Sequence, residues 1–415
     1  MARVTRIYYG WNVAIAAFLS TGITVGVTGY AFGAFVEPLE AEFGWSRTEI
    51  NGALALSVVS GLVAPISGRL MDRYGARPVM VSSLLLISLG LLLRSATHEL
   101  WHFYLFTAIS SIGMPGATIL PAGRLVGIWF PLTSGRMMSF VTAGNNFGGL
   151  TIVPLAASMI ALAGWRWGFA SLGLLVLALA VVVLLVVREN APRNAASTSE
   201  SDSDGAPESG GLSGITRSEA LRSPAFYLIA IGVTGGAFTY SVVLTQLIPH
   251  LESEGFNRGA AAGALTAIAS VGLIGKFVFG FVSERISARP SFIITLAIQA
   301  IGLLLFIVAG GSQLIWLAVV VFGLGFGGMG VLNALIVSDT FGIRAFGSIM
   351  GLVTLAGIIP HLVGPIVAGV IFDASDSYTM AFALVIVLYL IGAAALLMAR
   401  PQQPTNADPH STQPI

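Results

Sequence analysis

Of the 20 basic side chains in this 415-residue sequence, nineteen are arginine and one is lysine. That lysine, Lys276, stands inside an apolar run over 259–283 that holds no acidic residue. It precedes Glu284 by eight residues, which on a helix is about 12 Å from the polar end. A charge at such depth costs at least ~2.5–3.5 kcal/mol on insertion scales, a cost that a polar cavity or a counter-anion offsets. Acidic residues near the other apolar runs, Glu37, Asp339 and Asp373, all fall toward run ends. A buried cation without a partner on its own chain points to an anion brought from outside. Lysine, unlike arginine, is also able to release its proton when desolvated, so Lys276 is a candidate both for anchoring a carboxylate and for carrying a proton. The competing reading is a lysine that snorkels or binds backbone carbonyls; eight residues exceed a comfortable reach to the interface.

Other candidates are weaker. Arg124, in Leu120-Pro121-Ala122-Gly123-Arg124, lies about six residues inside its run. It is a second anion contact, a headgroup-reaching charge or a cap on a neighbouring helix, and the sequence leaves these open. His361, after Pro360, titrates near neutrality and is a candidate proton relay or substrate contact, against a packing histidine beside a proline kink. His250 ends its run and reads as interfacial. Tyr30, Asn145, Asn146, Tyr240, Gln246 and Asn333 are able to orient a carboxylate or hydroxyl, although interhelical hydrogen bonding is at least as common a role. Phe326 is a candidate apolar wall. The glycine-rich stretch 323–330 lacks the Gly-Lys-Ser/Thr ending of a phosphate loop, no HExxH occurs, and there is no cysteine. No cofactor and no metal are therefore expected. An intramembrane enzyme would need paired catalytic acids, cysteines or histidines, and none occur within the runs.

The elements that position these residues follow from composition. Only 9% of residues are charged and 55% are hydrophobic, whereas soluble domains carry about 25% charged residues. Apolar runs long enough to cross a bilayer begin near 11–35, too long for a signal-peptide core. They continue at 48–70, 77–97, 101–128, 135–162 and 165–187, and after a polar break at 224–249, 259–283, 290–310, 312–338, 346–371 and 379–399. The expectation is an all-α polytopic membrane protein with twelve transmembrane helices. An N-terminal six-helix bundle (1–188) and a C-terminal one (223–400) would flank a flexible Ser/Ala/Gly/acid-rich linker (189–222), with a disordered tail at 401–415. Fourteen arginines fall on loops and ends of the side holding both termini and four on the other. This positive-inside bias places the termini in the cytoplasm and the chain in the cell (inner) membrane. A net charge of +1 gives no reason to expect a nucleic-acid partner.

The halves repeat. GRLMDRYGARP at 68–78 matches GFVSERISARP at 280–290, an offset of 212 residues. Duplication of a six-helix unit places a substrate path between two pseudo-symmetric bundles, near the bilayer midplane. With twelve runs and a central break, the 68–78 stretch resembles the loop signature of the major facilitator superfamily, and 280–285 its weaker second copy. The resemblance implies the major facilitator fold, with Gly68, Asp72, Arg73, Arg77, Gly280, Glu284 and Arg285 as gating residues. Asp72 would cap a neighbouring helix N-terminus. Tyr8-Tyr9-Gly10-Trp11, Trp129-Phe130-Pro131 through Gly135-Arg136 to Ala143-Gly144, and Gly275-Lys276-Phe277 with Gly280 are similar to motifs of the monocarboxylate-transporter branch, which includes oxalate:formate antiporters.

The branch implies a secondary active transporter of a small, lactate- or pyruvate-like monocarboxylate, coupled to protons and working by alternating access. Its partners would be a small organic anion, protons and the lipid bilayer, and it would work as a monomer. Two departures bear on this. An aspartate often found one turn before the helix-eight basic residue is Gly272 here. The second basic residue of oxalate:formate antiporters appears as Gly357. One central cation suits a monoanion, with organic-anion exchange and efflux of a larger amphipathic compound as alternatives.

Overall fold

In the computed structural model of this protein, residues 8–189 and 212–400 are described. With no water in a bilayer core to satisfy backbone N–H and C=O groups, apolar runs of this length must fold as helices. The helices are α1 (Gly10–Phe43), α2 (Arg47–Tyr74), α3 (Ala76–Arg94), α4 (Leu100–Trp129), α7 (Pro224–Ser253), α8 (Arg258–Ile286), α9 (Ala288–Ala309), α10 (Ile315–Phe341), α11 (Phe346–Ser375) and α12 (Thr379–Met398). Between α4 and α7 runs Ser134–Val186, 53 residues broken at Gly164, whose φ of 84° and ψ of 169° leave the helical region. The stretches before and after that glycine are α5 and α6, so twelve spans are present among the described residues, as the apolar runs require.

The spans form two six-helix bundles, α1–α6 and α7–α12. Within each, small residues let backbones approach: α1 packs on α5 at Gly22 and Gly144, and α8 on α10 at Gly275 and Gly327. The bundles meet along two seams, α2 against α11 and α8 against α5.

The start of α1 and the ends of α4 and α6 lie together on one face, called here the terminus face. Tyr8 donates to the carbonyl of Trp129 (2.7 Å), Tyr9 to that of Val186 (2.7 Å), and the Trp129 indole to that of Arg188 (2.7 Å). Of the stretch read as a flexible linker, Glu189 and 212–222 are described, and both are held. Ile343 N donates to Ser213 O (2.8 Å) and Ile215 N to Phe341 O (3.0 Å), pinning the chain beside the α10–α11 turn. A short helix follows, Arg217–Arg222, closed by a reciprocal cap between Thr216 and Glu219. The Thr216 backbone N–H and hydroxyl both donate to the Glu219 carboxylate and hold it below the usual range. Residues 190–211 and the tail 401–415 lie outside the described residues.

The duplication extends to backbone detail. Gly75 has φ 92° and its counterpart at the 212-residue offset, Ser287, φ 72°. The next residue opens α3 in one half and α9 in the other. In each case a carboxylate accepts from that first amide: Glu189 from Ala76, and Asp339 from Ala288 (3.1 Å).

Candidate functional site

The two seams carry Gly68, Asp72, Gly280 and Glu284, four of the residues expected from the sequence to act in gating. On α2–α11, a Cβ built on Gly68 would stand 1.9 Å from Gly347 O, and one on Gly351 would stand 2.4 Å from Ala64 O. Glycine at 68 is therefore what allows the two backbones to touch. On α8–α5, a Cβ on Gly135 would stand 2.0 Å from Gly280 O, and Ser139 donates to the carbonyl of Lys276 (2.6 Å). Positions 64, 68, 135 and 139 correspond to 276, 280, 347 and 351 at the same offset of 212, so the seams are two copies of one contact.

Each seam ends in a carboxylate that caps a helix of the other bundle. Asp72 accepts from Gly347 N (2.9 Å) and Ser348 N (2.7 Å) at the start of α11. Glu284 accepts from Arg136 N (2.8 Å) and Arg136 Nε (2.7 Å) at the start of α5. An anion at a helix N-terminus meets unpaired N–H groups and the favourable end of the macrodipole. Both caps lie on the terminus face, which these contacts close. Arg73, Arg77 and Arg285 are exposed there. Arg73 lies over Tyr74 and Arg285 over Phe281, each an aromatic of its own helix.

Above the seams lies a cavity of about 430 Å³. Seven of the sequence candidates line it: Lys276, Tyr30, Asn145, Asn146, Tyr240, Asn333 and Phe326. Lys276 reaches across from α8 to α5. Its Nζ donates to Thr142 O (3.0 Å) and Asn146 Oδ1 (2.6 Å), and among the described residues no carboxylate is within ion-pair distance. An ammonium group has three donors. Two are spent on neutral acceptors, and the third remains for a ligand. Around it, Thr21 Oγ1, Asn145 Oδ1 and Asn333 Oδ1 are buried without a hydrogen-bond partner among the described residues.

The helices bordering this space lose regularity where they reach it. α1 tightens to a 3₁₀ turn at Tyr30–Phe35. α4 breaks at Thr118 (φ −118°, ψ −120°), and α7 widens to a π turn at Thr239–Val243. Such π turns recur at functional sites. Here the turn presents Tyr240 to the cavity, edge-on to Phe326 at 5.5 Å, while Thr239 is tied back to Gln299 (2.8 Å).

Other candidates lie elsewhere. His361 lines an adjoining pocket of about 330 Å³ rather than the lysine cavity. Its ring lies nearly parallel to Tyr240 with centroids 6.5 Å apart, and its Nδ1 is 2.8 Å from Gly357 O. Arg124 lines neither space. Its Nη1 donates to Asp72 Oδ1 (3.1 Å) and its Nε to Glu189 Oε1 (3.1 Å), so this buried arginine has two carboxylate partners where the sequence showed none. His250, in the last turn of α7, is buried against Phe382 and Tyr378. Gln246 does not line the lysine cavity or the adjoining pocket.

Several contributors went unseen in the sequence. Thr21, Thr118 and Thr142 line the cavity, and only Thr142 carried a signal, its recurrence as Thr354 at the repeat offset. Glu189 joins the charge cluster from a segment read as linker. Arg94, the last residue of α3, is 2% exposed, with its guanidinium 5.8 Å from the ring of Phe103 and 5.7 Å from that of Phe169.

Comparison with known proteins gives consistent matches. The family model described as Major Facilitator Superfamily matches residues 14–356 and 259–414. Monocarboxylate transporter 2 of Homo sapiens is 27% identical over 400 residues, spanning 89% of this chain and 81% of that protein. Monocarboxylate transporter 13 of Rattus norvegicus is 24% identical over 392 residues, spanning 94% and 88%. Among solved structures, the proton:xylose symporter XylE aligns with a TM-score of 0.73 at 14% identity, over 94% of this chain and 96% of that one.

Proposed function

The chain belongs to the major facilitator superfamily and is a membrane transporter, not an enzyme; from its cavity we propose that it carries a monocarboxylate in symport with a proton. The observation that carries this reading is Lys276, a cation facing the cavity with neutral acceptors for neighbours and a donor to spare. A carboxylate supplies the missing charge. Asn145 and Asn333, whose carboxamide oxygens lack partners among the described residues, would orient it through their amide groups. The relatives named as monocarboxylate transporters support the same substrate class.

The coupling follows from using lysine. When protonated, Lys276 attracts the anion. Once the anion has left, the uncompensated cation has reason to release its proton to the same side, so that acid and proton move together without net charge. Alternating access would consist of parting the two seams on the terminus face and closing the opposite face around the same site. On the arginine bias the terminus face would be the cytoplasmic one of a cell membrane, and because one chain lines the cavity, a monomer would suffice. An exchanger of dianions would call for a second free cation. Arg124, the other buried candidate beside the seams, is already committed to Asp72 and Glu189.

Uptake and counterflow of a panel of labelled mono- and dicarboxylates in proteoliposomes, with and without an imposed pH gradient, test the proposal. The expected result is saturable uptake driven by an inward proton gradient and abolished in Lys276→Ala. Failure of every mono- and dicarboxylate to be taken up or exchanged would remove the substrate class. Full proton-coupled uptake by Lys276→Arg would remove the proton-carrying role alone.

A further inference from the structure

We infer that the substrate site is bipartite, with an anion-binding wall on α5 and α8 and an apolar wall on α2 and α11. The transported acid would then be an amphipathic monocarboxylate with an apolar tail, larger than lactate. The inference rests on the monocarboxylate reading above and departs from the small acid expected from the sequence.

Three observations carry it. The first is size. Six heavy atoms, each given the ~30 Å³ of a water molecule in the liquid, fill roughly 180 Å³ of a cavity measuring about 430 Å³. The adjoining pocket of about 330 Å³ continues the same space, since Ile119, Tyr240 and Asn333 line both.

The second is the duplication. At the 212-residue offset that relates the seams, Lys276 corresponds to Ala64, Asn145 to Gly357 and Asn146 to Ile358. Gly357 and Ile358 line the adjoining pocket with Val233, Ala237, Met350 and Val353. The same structural position is thus polar and charged in one copy and apolar in the other.

The third is the state of the polar groups. Beside Lys276, Thr21 Oγ1, Asn145 Oδ1 and Asn333 Oδ1 have no partner among the described residues. Beyond Asn333 and Tyr240, which the two spaces share, three polar side chains of the adjoining pocket turn back on their own helices: Ser60 donates to Ser57 O (2.7 Å) and Thr354 to Met350 O (2.9 Å), while His361 Nδ1 lies 2.8 Å from Gly357 O. Groups satisfied in this way demand nothing of a ligand, whereas unsatisfied ones do. A head bound at Lys276 therefore leaves its tail to pass Tyr240 and Ile119 into a pocket that behaves as apolar.

The test is a homologous series of linear monocarboxylates, propionate to octanoate, bound to the purified full-length protein in detergent and read as thermal stabilisation, from which relative dissociation constants follow. Each methylene entering an apolar pocket strengthens binding roughly three- to four-fold. The inference expects at least a ten-fold gain between propionate and hexanoate, followed by a plateau once the pocket is full. In Thr354→Phe, which fills the pocket, the ratio of the two constants should collapse toward one; a ratio within one variant does not depend on how much of it folds. Lys276→Ala should lose binding of the whole series. A ratio near one in the unmodified protein, with Lys276 still required, overturns the bipartite site and leaves the monocarboxylate reading standing. A gain that persists in Thr354→Phe and Lys276→Ala reports micelle partitioning and also overturns it. If no acid stabilises the unmodified protein, the monocarboxylate reading itself fails.

Discussion

Gly68→Ala should drive the protein toward the conformation open on its terminus face. The added Cβ would stand 1.9 Å from Gly347 O and 2.4 Å from Gly347 C, and both are backbone atoms that no rotamer change can move. Restoring an ordinary carbon–oxygen contact requires the α2–α11 seam to widen by about 1 Å or more. Overpacking of this kind costs ~1–3 kcal/mol. The gain in helix propensity on replacing glycine by alanine, ~0.5–1 kcal/mol, applies equally to both conformations and cancels from their ratio. The open state parts the seam and escapes the clash, so the full cost falls on the closed state. The equilibrium should move about 5- to 150-fold toward opening. Because the chain has no cysteine, spin labels at Tyr74→Cys and Ile286→Cys report it directly. Both positions are exposed, sit on opposite bundles and are equivalent in the repeat. The population at long label separation should rise in Gly68→Ala and in its seam counterpart Gly280→Ala. It should stay unchanged in Gly369→Ala, where a Cβ meets nothing within 4 Å. Distance distributions identical to the parent in both seam variants would refute the argument, as would an equal response in the control.

Asp72→Asn keeps the shape of the α11 cap but removes its charge, and should shift the same label distances toward opening by ~1–2 kcal/mol, a lesser effect than the seam clash. Arg124→Ala leaves Asp72 and Glu189 facing each other without a cation. Discounted for their partial exposure, the cost should be ~1–3 kcal/mol of thermal stability, partly recovered in Arg124→Ala/Glu189→Gln. Arg94→Met should be neutral or stabilising, because an arginine buried between two phenylalanines with its Nε unpaired costs more to desolvate than its ring contacts return; a fall in Tm of more than a few degrees would count against this.

The parts of this molecule legible in its sequence are those governed by local rules. Twelve spans follow from the bilayer's demand for about 20 apolar residues apiece, and even the break inside Ser134–Val186 is marked by Gly164 ahead of Trp165 and Arg166. The repeat at 68–78 and 280–290 located both seams because duplication preserves spacing. Lys276 stood out by type and depth alone. What stayed hidden depends on contacts distant in sequence. Arg124 finds its carboxylates 52 and 65 residues away, one of them in what composition marks as linker, so no local pattern could exclude it from the cavity. The π turn at Tyr240 coincides with a hydrogen bond from Thr239 to Gln299 on α9, 60 residues away. The division of the site into a polar and an apolar wall needed both the repeat offset and the hydrogen bonds.

The duplication also supplies an internal control for Lys276. Its ammonium bonds to Thr142 and Asn146 across the seam, so loss of transport in Lys276→Ala admits two causes, a missing anion anchor or a missing latch. The α2–α11 seam separates them in advance. There Ala64 occupies the equivalent position, and the backbones still meet, with Gly351 against Ala64 O and Gly68 against Gly347. An alanine at this position is therefore compatible with a closed seam. Lys276→Ala should thus show the parent's label distances between positions 74 and 286 while failing to bind any carboxylate. A variant that springs open on the terminus face would instead make the lysine a structural latch and withdraw the main support for an anionic substrate.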